Sequence, residues 1–180
     1  MKKIFFACAL LLGFAAGAQI NKVSLQASGL TCSMCSKAVK TALEKVSFVE
    51  KVMVDIKNQQ YNLSFKSGQS IELDALSKAV EDAGFAVAKF VVSAKVENVS
   101  LQKDEHVKIG DAYFHFLNGE NKAVNGETSF TVVDKNFLSP KQFKKYSGLT
   151  KMECQQTGRA AKCCTADEVP EAARVYHVII

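Results

Sequence analysis

The 180-residue chain carries 23 Lys and Arg against 18 Asp and Glu, a formal net charge of +5, and 48% of its residues are hydrophobic. That length holds one medium domain or two small ones. No basic block or arginine-rich strip stands out, which leaves nucleic-acid binding without electrostatic support.

The chain opens MKKIFFACALLLGFAAGAQ. Lys2 and Lys3 precede an apolar run from Ile4 to Ala16, and Ala16-Gly17-Ala18 has the small-x-small form that a signal peptidase reads. Residues 1–18 are therefore expected to be an export signal cut before Gln19 and to take Cys8 with them. The run is short for ~30 Å of hydrocarbon, and no later run reaches that length. The expected product is periplasmic or secreted, with a net charge of +3 and no membrane span. It keeps five cysteines, Cys32, Cys35, Cys154, Cys163 and Cys164. An odd number cannot all pair within one chain, although export favours disulfides.

Val23, Leu25 and Ala27 alternate with polar residues, which predicts a half-buried strand. Cys35, Val39, Ala42, Leu43 and Val46 recur at helical spacing and predict an amphipathic helix. Val52, Val54 and Ile56 alternate again, residues 57–60 predict a turn, and Tyr61, Leu63 and Phe65 a third strand. Leu73, Leu76, Val80 and Ala83 make a second helical stripe that Gly84 ends. Residues 85–92 read as a fourth strand. The order βαββαβ predicts a split-βαβ, ferredoxin-like sandwich over residues 19–93, so the chain reads as α+β.

Residues 94–180 predict a second, small mostly-β domain, drawn as a partly open barrel. Tyr113, Phe114, Phe116 and Leu117 mark one strand, and Phe130, Val132 and Val133 another. Asn118-Gly119 and Asn125-Gly126 predict tight turns between strands. Ser139-Pro140 starts a short helix that Gly148 follows. A polar cysteine-bearing loop and a terminal strand, RVYHVII, complete the chain.

Cys32 falls in the loop after the first strand and Cys35 in the first turn of the helix. Partial positive charge and free N–H groups at a helix start favour thiolate over thiol. Thiolates are soft ligands that select Cu(I), Zn(II) and other thiophilic ions. Two near-linear thiolates suit Cu(I), whereas tetrahedral zinc needs two further ligands. The same pair also fits thiol–disulfide exchange or a permanent disulfide. Against a thioredoxin-like reading, Thr31 precedes Cys32, and residues 19–93 contain no proline.

Residues 22–92 resemble the heavy-metal-associated domain, the module of copper chaperones and of metal-exporting P-type ATPases. The motif stands here as Gly29-Leu30-Thr31-Cys32-Ser33-Met34-Cys35. Val39, Ala42-Leu43, Val49, Val52, Val54, Asp55, Ala79-Val80 and Gly84-Phe85 continue the pattern. Leu30 replaces the family's usual methionine, Ser47-Phe48 a common Pro-Gly turn, and Phe85 the lysine that soluble chaperones carry. The resemblance implies that Cys32 and Cys35 bind the metal. It further implies transfer by ligand exchange to a protein partner, a metal transporter or metalloprotein.

Cys154, Cys163 and Cys164 form a second group. They fit either a second metal site, with Met152 or His177 assisting, or a loop-stapling disulfide from Cys154 to one of the adjacent pair. A labile disulfide here that exchanges with Cys32 or Cys35 is a third expectation. His106, His115 and His177 read as separate structural or exposed histidines. No catalytic triad, phosphate loop or paired-carboxylate cleft points to an enzyme.

Overall fold

A computed structural model describes residues 18–119 and 123–180. The expected export signal lies outside them but for Ala18. The first six elements are β1 (Gln19–Ser28), α1 (Ser33–Glu44), β2 (Val49–Asp55), β3 (Gln60–Phe65), α2 (Leu73–Asp82) and β4 (Ala86–Ser100). The remaining strands and α-helices are β5 (Glu105–Ile109), β6 (Ala112–Phe116), β7 (Ala123–Val132), α3 (Pro140–Tyr146), α4 (Cys154–Thr157) and β8 (Val175–Ile179), with 3-10 turns at Lys135–Phe137 and Lys162–Asp167.

Six predicted elements form the βαββαβ unit, with strand order β2-β3-β1-β4 and antiparallel pairing throughout. Val23, Leu25, Val39, Leu43, Leu63, Leu76 and Val80 are fully or almost fully buried between sheet and helices. Each such side chain contributes about 1.5–3 kcal/mol by leaving water. Gly84, at φ +87°, ends α2 as expected, and its N–H reaches the Glu81 carbonyl at 2.8 Å. Ile56 stands outside β2 and is 85% exposed, contrary to its place in the predicted strand.

The second half differs from its expected form in three respects. β4 runs 15 residues, through Ser93, and pairs with β1 on one edge and β7 on the other. The sheet is consequently continuous across the predicted boundary, with order β2-β3-β1-β4-β7-β8-β6-β5. The late strands extend this sheet instead of curling into a barrel, because β7 finds a free β4 edge to pair with. Asn125-Gly126 is no turn but lies inside β7, where Asn125 Oδ1 accepts from the Asn98 N–H across a β4 bulge.

One core serves both halves. Phe90 of β4 meets Phe137 edge-on with centroids 4.9 Å apart, and Phe114, Phe116, Phe130 and Tyr176 continue the chain of rings. All lie on the face that carries α1 and α2. The predicted short helix forms as α3, closed by a reciprocal Ser139–Gln142 capping box. A smaller cluster of Cys154, Ala160, Cys164, Val169 and Val175 packs apart from the main core.

Arg174 ties the end of the chain to its beginning. Its guanidinium grips Asp74 of α2 through Nε at 2.6 Å and Nη2 at 2.9 Å, and Nη1 reaches Asp134 at 2.9 Å. Asp134, 1% exposed, also accepts from His177 Nδ1 at 3.1 Å. Burial alone raises the Asp134 carboxyl. The His177 and Arg174 contacts outweigh it and hold the group below its ordinary 3.8.

Candidate metal centre

Cys32 is the N-cap of α1, and its sulfur accepts from the Cys35 N–H at 3.4 Å. The local sequence produces this corner. Gly29 adopts φ +84°, which turns the chain out of β1, and Phe85 packs where a Gly29 side chain would point, 3.9 Å away. Leu30 tucks against the core beneath the loop. Ser36 Oγ meets the buried Tyr61 hydroxyl at 2.9 Å and so fixes the first turn of α1 to β3.

The two sulfurs lie 2.9 Å apart at the surface, Cys32 exposed and Cys35 half-buried. The Cys32 sulfur, with the backbone and hydroxyl of Thr31, holds the Cys35 thiol at about 7, below its ordinary 9.0. An ion bonded to both at about 2.3 Å each needs the sulfurs to swing apart, to as much as about 4.6 Å if linear. An exposed side chain on a loop and a half-buried one on the first helical turn, both at the surface, have room to do so. Met34, between the two cysteines, is 69% exposed.

Cys154, Cys163 and Cys164 converge, each pair of sulfurs within 4.8 Å. Cys163 and Cys164 Sγ are 3.5 Å apart, and the described cysteines are all free thiols. The expected stapling disulfide is therefore not formed here. Exchange with Cys32 or Cys35 inside one chain has no path either. His115, beside Cys154, lies on β6, four inter-strand steps from β1, or roughly 19 Å.

The histidines are not scattered. His106, His115 and His177 pair directly across β5, β6 and β8. Residues alternate faces along a strand, so this row lies opposite the aromatic core and its helices. His106 and His115 stack with centroids 4.4 Å apart, and both aim a ring nitrogen at Cys154 Sγ, Nε2 at 3.7 Å and Nδ1 at 3.6 Å. Burial, and then the neighbouring His106 and His177, push His115 down to about 3, so its ring is neutral. Burial and the Cys164 and Cys163 sulfurs push the Cys154 thiol well above its ordinary range. His177, the expected assistant, turns to Asp134 instead.

Sequence reasoning missed His106 and His115. The signal was the hairpin that turns at Gly110-Asp111, from which the two residues are equidistant. Among the described residues, no helix is long and apolar enough to cross a membrane.

A family model described as the heavy-metal-associated domain matches residues 24–86. The mercuric transport protein periplasmic component of Salmonella typhi is 38% identical over 86 residues, covering 47% of this chain and 93% of that protein. A copper-transporting ATPase of Helicobacter pylori is 33% identical over 76 residues, covering 42% of this chain. The chain spans only about 10% of the length of that ATPase. Among solved structures, oxidized MerP from Ralstonia metallidurans is 35% identical and covers 40% of this chain and 96% of its own, with a TM-score of 0.34.

Proposed function

The chain belongs to the heavy-metal-associated domain family through residues 24–86, and from that premise we propose that it is a metal carrier. Cys32 and Cys35 hold a thiophilic ion, Cu(I) in the first place and Zn(II) or another soft ion in the second. The ion leaves by ligand exchange to a protein partner, a metal transporter or metalloprotein. The named relatives are a mercury transport component and copper-transporting ATPases. The carrier works outside the cytoplasm, a reading supported by the Lys2-Lys3 apolar leader and the periplasmic relative.

The observation that carries this reading is the surface position of the sulfur pair. Two thiols at an open helix corner, with no third His, Cys, Asp or Glu grouped with them among the described residues, bind a soft ion and still leave a coordination position for an incoming thiolate. Each thiol that binds the ion gives its proton to solvent and ligates as thiolate. Lys37 and Lys40 flank Cys32 in a shallow groove with Leu30, Val54 and Ile56. That rim suits a partner with acidic residues around its own thiols.

The test is Cu(I) release from the reduced, anaerobic chain to a competing chelator. Wild type is expected to show a fast phase that Cys32→Ser/Cys35→Ser lacks. An unchanged fast phase in the variant defeats the proposal. If wild type takes up no Cu(I) but reduces a model disulfide through this pair, thiol–disulfide exchange replaces it.

A further inference from the structure

We propose that the chain holds a second metal site, independent of the Cys32–Cys35 pair, built from His106, His115 and Cys154. The ligand is a thiophilic d10 ion, Zn(II) or Cu(I), for which mixed imidazole and thiolate donors are suited. All three side chains are buried and come from separate places in the sequence. Bonds of about 2.3 Å to sulfur and about 2.0–2.1 Å to nitrogen, at tetrahedral angles, separate sulfur from nitrogen by about 3.6 Å. The two such separations here are 3.7 Å and 3.6 Å. The donors already stand at the edge length that an ion between them requires.

The surrounding groups fit the same role. Asp167 accepts from His106 Nδ1 at 2.6 Å, which puts the ring proton there and leaves Nε2 with a free lone pair facing Cys154. Asp104 Oδ1 lies 3.4 Å from His115 Nε2, on the side of the ring away from Cys154. Carboxylates behind imidazoles orient them and raise their basicity toward a metal. His115 Nε2 and Asp104 Oδ1 are otherwise buried without a hydrogen-bond partner. Cys163 and Cys164 form a separate group with Cys154, its sulfurs within 4.8 Å of one another, and a shift of one of them toward the histidines would supply a fourth donor.

Cys154 loses its thiol proton to solvent as the ion binds, so one positive charge on Cu(I) is cancelled by one thiolate. Zn(II) carries one charge more, which a second thiolate from Cys163 or Cys164, or the Asp167 and Asp104 carboxylates behind the rings, would offset. Such an ion is a resident staple and not cargo. It fastens the irregular segment 149–174, whose own core is small, to the β5–β6 hairpin. For such a segment, metal binding is folding free energy.

The experiment uses the full chain as Cys32→Ser/Cys35→Ser, reduced, stripped with a chelator and offered Zn(II) alone or Cu(I) alone. The expected result is one equivalent of one of these ions that survives gel filtration. X-ray absorption should show both nitrogen and sulfur ligands, and the melting temperature should rise with the metal. Four donors on Zn(II), or three on Cu(I), identify the ion. Cys154→Ser in that background is expected to lose the equivalent while keeping its backbone circular dichroism. The absorption spectrum of the background protein decides the matter if Cys154→Ser does not fold. Retention of neither ion, or ligation by sulfur alone, overturns the proposal. So does an undiminished equivalent in folded Cys154→Ser. Because the first pair is absent from this protein, the outcome is separate from that of the carrier proposal.

Discussion

The two cysteine groups contain the same functional group in opposite surroundings. Cys32 and Cys35 sit on a loop and a first helical turn, with little around the sulfurs beyond Thr31. Cys154 is fully buried and touches two histidines, whose other ring nitrogens face Asp167 and Asp104. The first arrangement allows sulfurs to move and ligands to come and go. The second fixes donors at distances that a bound ion would otherwise have to impose. On the two proposals, burial, and not the count of thiols, separates a place for exchange from a place for retention.

The largest test of this contrast is reactivity. In the metal-free reduced protein, Cys32 and Cys35 should alkylate about 10³-fold faster or more than Cys154, which reacts only through opening of the fold. Mass spectrometry of timed iodoacetamide quenches measures this, and comparable rates would break the contrast. Next comes the Asp134 network beside the histidine row. Asp134→Ala leaves Arg174 and His177 without their shared buried partner and should cost about 3–5 kcal/mol in urea unfolding.

The same carboxyl carries an acid limb. Its folded pKa lies below the unfolded 3.8, so its contribution is present above pH 3.8 and lost as pH falls through the folded value. The wild-type urea midpoint should drop in that range by an increment that Asp134→Ala lacks. On the other side of the molecule, Tyr61→Phe should cost about 1 kcal/mol by removing the hydroxyl that ties Ser36 to β3. Smallest of all, Cys32→Ser/Cys35→Ser should leave folding stability within about 0.5 kcal/mol. A larger loss there would show that the exposed pair supports the fold as well.

The first half was legible because its apolar period changes from 2 to 3.6 and back where Gly29 and Gly84 break the chain. The site corner was legible for the same reason, since the motif fixes Cys32 and Cys35 on one turn. The length of β4 was present in the alternation of Phe90, Val92, Ala94 and Val96 and was cut short by stopping at a completed motif. The histidine row was harder. His106 and His115 meet through a hairpin that local signals suggest, but His177 joins them through parallel pairing of β6 with β8. Such a register depends on the whole sheet order, which no local window contains. Asn125-Gly126 shows the converse, a strong turn signal that the strand pairing of β4 and β7 overrides.

The unbroken β4 has one further consequence. Where a binding module hangs on a flexible tether, linker length sets how often it meets a neighbouring site on its own chain. Here no such tether separates the two halves, because one strand belongs to both. A hand-over from Cys32 and Cys35 is then proposed to be a meeting with a separate partner and not a swing toward the second half. On the carrier proposal, its pace follows the partner's concentration and approach angle.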